Sequence, residues 1–180
     1  MPYDYDDHSK MLETLGIKDN SKDPQFVRVE MNPIDGNIFN LDLSNWKLKV
    51  DQDFRPDWFS EKFTEAEMKK ELKKWWEERF IFNDKTGKNI KDGKFYLKNS
   101  SVVARGNRSV EAWENSSVVA WENSSVVARG NSQILLPYDY PVKIKGVYDN
   151  ASIKDIAKGQ IIVANRKIKL VQFKLPKTKK

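Results

Sequence analysis

From Asn99 onward, apolar and polar residues alternate in segments of eight: NSSVVARG, NRSVEAWE, NSSVVAWE, NSSVVARG and NSQILLPY follow one another without a gap. Asn always holds position one, Val or Ile position four, and Ala or Leu position six. Position five admits Glu111 and position seven admits Arg and Trp. Strict alternation over four to eight residues is the signature of a strand with one buried face. Charge is cheap only on the outward face. The pattern therefore predicts that Val102 and Ala104, Val110 and Ala112, Val118 and Ala120, and Val126 and Ala128 point inward. The Asn, Gly and Ser residues between them supply tight turns, where Asn and Gly tolerate positive φ.

A looser version extends the array. DGKFYLK places Phe95 and Leu97 inward, and DYPVKIKG places Val142 and Ile144 there. After a three-residue insertion, NASIKDIA puts Ile153 inward, but Asp155 breaks the rule and reads as a bulge. KGQIIVA offers Ile161 and Val163, and NRKIKLVQ offers Ile168 and Leu170, which makes about ten strand units between Asp92 and Gln172. Strands this short bury a face only by stacking coil upon coil.

Two octads per coil would give a flattened solenoid of two parallel sheets; three would give a triangular one. Position seven separates these choices, because it runs Arg105, Trp113, Trp121, Arg129. With two octads per coil, Arg105 falls beside Trp121 and Trp113 beside Arg129. Each pair allows a cation–π contact of about 0.5–1 kcal/mol. With three, Arg105 would meet Arg129, so two are favoured. One outer face then carries Lys98, Trp113, Arg129 and Lys145 at position seven, with Lys143 at position five. This mixture of cations and an aromatic ring is the expected binding surface, for protein or nucleic acid. The other face carries the apolar row Val103, Val119 and Leu135, which is expected to pack on the N-terminal body or, as a homodimer, on a second copy.

Upstream, QFVRVEM, NIFNLDL and WKLKV read as strands, with Pro33–Gly36 as a turn. Residues 64–82 read as a helix opened by a Thr64/Glu67 capping box and anchored by Trp75, Trp76, Phe80 and Phe82. A short helix over 9–16 would end at Gly16, and 83–93 reads as a hinge. The expected fold class is an α+β N-terminal body over 1–90, an all-β parallel solenoid over 91–172 and a basic tail over 173–180. The body would also cap the first coil near Phe95.

Composition sharpens the picture in two places. There is no Cys, which removes disulfides and thiolate chemistry, and no apolar run long enough to cross a membrane. The acidic N-terminal MPYDYDDHSK does not read as a secretory signal, and a cytoplasmic location in a bacterial host cell is expected. The net charge of +6 is uneven: residues 142–180 hold 11 Lys and Arg against 2 Asp, a net of +9, while the other 141 residues hold 21 against 24, a net of −3. Such a basic segment attracts nucleic acid or acidic protein surfaces.

No catalytic constellation assembles, and no cofactor or metal is expected. His8 is the only His, so a multi-His metal site is excluded and a triad would have to use that residue. Asp4, Asp6 and Asp7 lack spaced partner ligands, and Asp51, Asp53 and Asp57 near Arg55 read as a loop ion-pair cluster. Phosphate-binding GxxxxGK[ST] and GxGxxG motifs are absent. Asn99, Asn107, Asn115 and Asn123 open formal N-x-[ST] sequons, which would matter only in a secreted eukaryotic protein.

The join KFYLKNSSVVARGNRSVEAWENSSVVAWENSSVVARGNS, with the upstream stretch DLSNWKLKVDQDFRPDWFSEKFTEAEMKKELKKWW, resembles uncharacterised proteins of bacteriophages and mobile elements that carry tandem Asn-x-x-Val-x-Ala units behind a short N-terminal body. The resemblance implies a β-solenoid of phage-associated origin and supplies no catalytic residues. The function expected is that of a non-enzymatic binding protein, an anti-CRISPR-like inhibitor that occludes a bacterial defence protein or ribonucleoprotein. The alternatives are a nucleic-acid binder using the basic C-terminal part, and a structural phage or fibre component.

Overall fold

The computed structural model describes residues 13, 16, 27–53, 55–164 and 168–172, with side chains up to 163. His8, Asp4, Asp6 and Asp7, the tail over 173–180 and most of the helix expected over 9–16 lie outside the described residues, as do the side chains of Ile168 and Leu170. The chain divides into two compact units, residues 1–78 and 79–180.

In the first unit, β1 (Val29–Pro33) pairs antiparallel with β2 (Trp46–Val50), Val29 opposite Val50 and Pro33 opposite Trp46. The intervening NIFNLDL, expected as a strand, is a loop closed by a 3-10 turn at Leu43–Asn45. Its own polar side chains account for the difference, because they occupy the backbone N–H groups that a ladder would use. Asp35 Oδ1 accepts from Asn37 N at 2.9 Å, Asn37 Oδ1 from Phe39 N at 3.0 Å, Asn40 Oδ1 from Asp42 N at 3.1 Å, and Asp42 Oδ1 from Ser44 N at 2.9 Å. Helix α1 (Glu61–Arg79) starts before the expected Thr64, with Ser60 Oγ accepting from Phe63 N at 3.4 Å. It buries Leu72 and Trp76, and Trp76 meets Trp46 edge-on at 5.5 Å.

In the second unit the winding begins ahead of the regular octads. β3 (Phe80–Phe82), expected as the end of the helix, is a strand, because Ile81 at its centre enters the solenoid core. β4 (Lys88–Asn89), within the expected hinge, leads into buried Ile90. There follow β5 (Lys94–Lys98), β6 (Ser101–Ala104), β7 (Ser109–Trp113), β8 (Ser117–Ala120), β9 (Ser125–Ala128), β10 (Gln133–Leu136), β11 (Lys143–Val147) and β12 (Ser152–Asp155). Odd-numbered strands from β3 to β11 stack into one parallel sheet and even-numbered strands from β4 to β12 into a second, giving five coils of two strands. Val102 lies opposite Val118 and Val110 opposite Val126, so one coil is two octads. The eight Val and Ala residues at positions four and six are 0–2 % exposed and form one continuous core with Phe95, Leu97, Ile134 and Ile153.

The turns use the octad's ends. Position eight adopts positive φ whether it is Gly106 (70°), Glu114 (55°), Glu122 (56°) or Gly130 (63°). Position two buries Ser100, Ser116, Ser124 and Ser132. Ser100 Oγ donates to Ile81 O at 2.9 Å, tying coil two to coil one. At one corner the position-one Asn side chains form a ladder: Asn115 Nδ2 donates to Asn99 Oδ1 at 3.3 Å, Asn131 Nδ2 to Asn115 Oδ1 at 3.5 Å, and Asn150 Nδ2 to Asn131 Oδ1 at 3.3 Å.

Two expectations about the far end need correction. The three extra residues are not inserted together after Gly146. Lys143 lies opposite Ser125, so two residues are absorbed in the loop over 137–142, and a bulge between Ile144 and Gly146 absorbs the third. Val147 therefore takes the place opposite Ala128, and Ile144 stays 38 % exposed. Nor do KGQIIVA and NRKIKLVQ continue the parallel winding. β13 (Gln160–Ala164) pairs antiparallel with β12, and β14 (Ile168–Gln172) antiparallel with β13. Asp155, the rule-breaker, causes the reversal. Its buried carboxylate accepts from Lys158 N at 3.0 Å and Gln160 Nε2 at 3.3 Å, which fixes a four-residue turn over 156–159. So short a connection can only join antiparallel strands.

Candidate binding surface

The five-stranded sheet sets Phe82, Lys98, Trp113, Arg129 and Tyr148 in one outer row. Lys98, Trp113 and Arg129 are thus brought together as the octad arithmetic requires. Arg129 Cζ stands 4.9 Å from the Trp113 ring centroid and 4.3 Å from that of Tyr148, and its Nε lies 3.0 Å from Glu111 Oε1. Lys98 Nζ meets Glu114 Oε1 at 2.9 Å. Glu111 and Glu114, beside the row, pair with its cations Arg129 and Lys98 and leave it little net charge. Lys143 and Lys145 are not part of the row. The insertion carries Lys143 to position three and Lys145 into the bulge, and Tyr148 takes the position expected for Lys145.

On the other sheet Arg105 Cζ stands 4.7 Å over the Trp121 ring, the second predicted pair. Val103, Val119 and Leu135 form the expected outward row and are half-buried. Beside Trp121 the loop over 137–142 gathers two more rings. Tyr138 lies 5.0 Å and Tyr140 6.2 Å from Trp121, and the two tyrosines are 6.0 Å apart. Successive backbone hydrogen bonds, Tyr140 N to Tyr138 O at 2.9 Å and Val142 N to Tyr140 O at 2.8 Å, hold the loop folded against this corner.

Coil five therefore carries a strip that the octad reading missed. Tyr138 is 56 %, Tyr140 41 % and Tyr148 43 % exposed, with Lys143 and Lys145 exposed between them. The signal in the sequence was the loss of octad register at PYDYP, where proline and tyrosine replace the Asn-Ser turn. Insertions in a solenoid map to loops that often form its binding face.

The expected cluster of Asp51, Asp53 and Asp57 about Arg55 does not form, because Arg55 pairs with Glu61. Asp51 pairs with Arg28 and lies 3.4 Å from Lys49. Desolvation alone would raise its carboxyl, but hydrogen bonding and charge from Arg28, helped by Lys49, hold it below the ordinary range. Asp35 is lowered by the Asn40 amide first, then by Asn37 N–H and the Asn45 amide. In the solenoid unit, Lys88 and then Thr86 hold the Asp84 carboxyl far below its usual range. Among the described residues no three His, Asp or Glu side chains gather as a metal site, and no helix is long and apolar enough to cross a membrane. Comparison with known proteins finds no matching family model, curated protein or solved structure.

Proposed function

We propose that this chain is a non-enzymatic binding protein, a rigid solenoid that docks a macromolecular partner through the aromatic and basic strip of its last coil. The observation that carries this reading is the exposure of Tyr138, Tyr140, Tyr148, Lys143 and Lys145 where the octad register is lost between β10 and β12. Tyr, Trp and Arg are the residues in which interface binding energy concentrates. A loop pinned by its own hydrogen bonds loses little entropy on docking. The finer reading is an intracellular inhibitor of phage or mobile-element origin that occludes a bacterial defence protein or ribonucleoprotein. It rests on the resemblance of the octad array and its upstream segment to phage proteins, and on the net +9 over residues 142–180.

The test is affinity capture from bacterial lysate with the native chain, a Tyr138→Ser/Tyr140→Ser variant and a Trp113→Ala/Arg129→Ala variant. The strip reading expects a specific partner that the tyrosine variant loses and the second variant keeps. A partner lost with Trp113 and Arg129 but kept by the tyrosine variant would move the site to the five-stranded face and refute this placement.

A further inference from the structure

Coil five combines three features that no other part of the described solenoid shows together. It has exposed aromatic rings, exposed lysines and an interrupted edge. Within residues 137–148 lie Tyr138, Tyr140, Lys143, Lys145 and Tyr148, with Asp139 the only carboxylate. Among the described residues neither lysine has an ion-pair partner, in contrast to Lys98 and Arg129 on the same sheet. Tyr148 is covered by Arg129, 4.3 Å from its ring centroid, and lies against Gly146, whereas the other two rings are open. Tyr138 and Tyr140 pack on Trp121 with tilts of 54° and 31° and keep a large part of their surface in solvent.

Resting on the binding reading above, we infer that this strip binds single-stranded nucleic acid, with bases stacked on Tyr138 and Tyr140 and phosphates held by Lys143 and Lys145. Successive aromatic platforms along a basic track are what a single strand needs, because every base presents a π-face and every linkage a charge. Duplex recognition would instead call for a helix or ribbon entering a groove, and coil five offers a loop and an edge strand. Strand addition by a peptide is opposed by the edge itself. Among the described residues β11 is the last strand of its sheet, and the bulge at Lys145, between Ile144 and Gly146, spoils the flat ladder that an added strand would copy.

The experiment is a fluorescence-anisotropy titration of the full chain against a labelled oligothymidine strand of about 15 nucleotides, repeated from about 50 to 200 mM salt. The expected result is saturable binding whose log K falls linearly with log salt. Lys143→Gln/Lys145→Gln should flatten that slope by about 1.4, two phosphate contacts at about 0.7 each. Tyr138→Ala and Tyr140→Ala should each weaken binding by about 5- to 150-fold with the slope unchanged. Lys62→Gln/Lys73→Gln on α1 serves as the charge control and should change nothing, and circular dichroism confirms that each variant is folded. Absence of saturable binding, equal affinity for a duplex of the same length, a salt slope indifferent to the lysine pair, or equal displacement by polyglutamate would each overturn the inference. If the strand does not bind while lysate capture yields a nuclease-resistant partner lost in the tyrosine variant, the inference fails and the binding reading stands. If capture fails too, both fall.

Discussion

Gly106 and Gly130 occupy the same octad position and nearly the same backbone conformation, φ 70° and 63°, yet they should respond very differently to a methyl group. Alanine in the left-handed region costs about 1–2 kcal/mol. Restricting the unfolded chain returns about 0.4–1 kcal/mol, so the conformational part is close to 1 kcal/mol at either site. Around Gly106 an added Cβ meets only the flexible Glu122 carboxylate, at 3.8 Å. At Gly130 it would stand 2.9 Å from both Glu114 Cα and Glu114 N, backbone atoms of the preceding coil. Restoring ordinary contact needs a local opening of about 0.5 Å between coils. The adjoining hydrogen bonds Arg129 N to Ala112 O (2.8 Å) and Gln133 N to Ser116 O (2.9 Å) resist that opening. Overpacking of this kind adds about 1–3 kcal/mol. Gly106→Ala should therefore lose about 1 kcal/mol and Gly130→Ala about 2–4 kcal/mol, read as shifts in the urea midpoint with an unchanged m-value. Equal losses would refute the close approach of coils three and four at this corner, and with it the two-octad winding that produces it.

Other outcomes follow from the same geometry. Glu122 holds positive φ without being glycine, so Glu122→Gly should stabilise the chain by about 0.5–1 kcal/mol in the same urea assay. Asp155→Ala removes the acceptor of Lys158 N and Gln160 Nε2 and should cost about 1–3 kcal/mol, with faster amide exchange over β13. The Asp84 carboxyl is depressed chiefly by Lys88. Its contribution is therefore present above the unfolded carboxylate value of about 4 and is lost as pH falls through the folded one. Acid titration of stability should accordingly be flatter below about pH 4 in Asp84→Asn than in the native chain.

The octad array was legible because one small set of inward residues repeats without error, and because alternation admits only one facing for Glu111. The Arg and Trp order at position seven was enough to choose two octads per coil, since each alternative put different side chains side by side. The ends were harder to read. Ile144-Lys145-Gly146 alternates as regularly as a true octad, so periodicity alone placed the insertion too late and shifted Lys143 and Lys145 out of their real register. Asp155 looked like a local flaw because its partners, Lys158 N and Gln160 Nε2, exist only once the chain has turned back. In NIFNLDL the apolar residues suggested a strand, but the Asx hydrogen bonds from Asp35, Asn37, Asn40 and Asp42 outcompeted it. Phe80–Phe82 extended the helical pattern on paper and left it in the fold, where a β-branched residue between two aromatics serves the first coil better than another helical turn. The tyrosine strip escaped notice because exposed rings and buried rings have the same letters, and only the register shows which are outside.

The most direct test of the docking account is hydroxyl-radical footprinting of the native chain with and without its captured partner. Protection confined to Tyr138, Tyr140 and Tyr148, with exposed Trp58 and Phe63 of the first unit unchanged, is the predicted result. Full reactivity of all three tyrosines in the complex, with protection elsewhere, would contradict it.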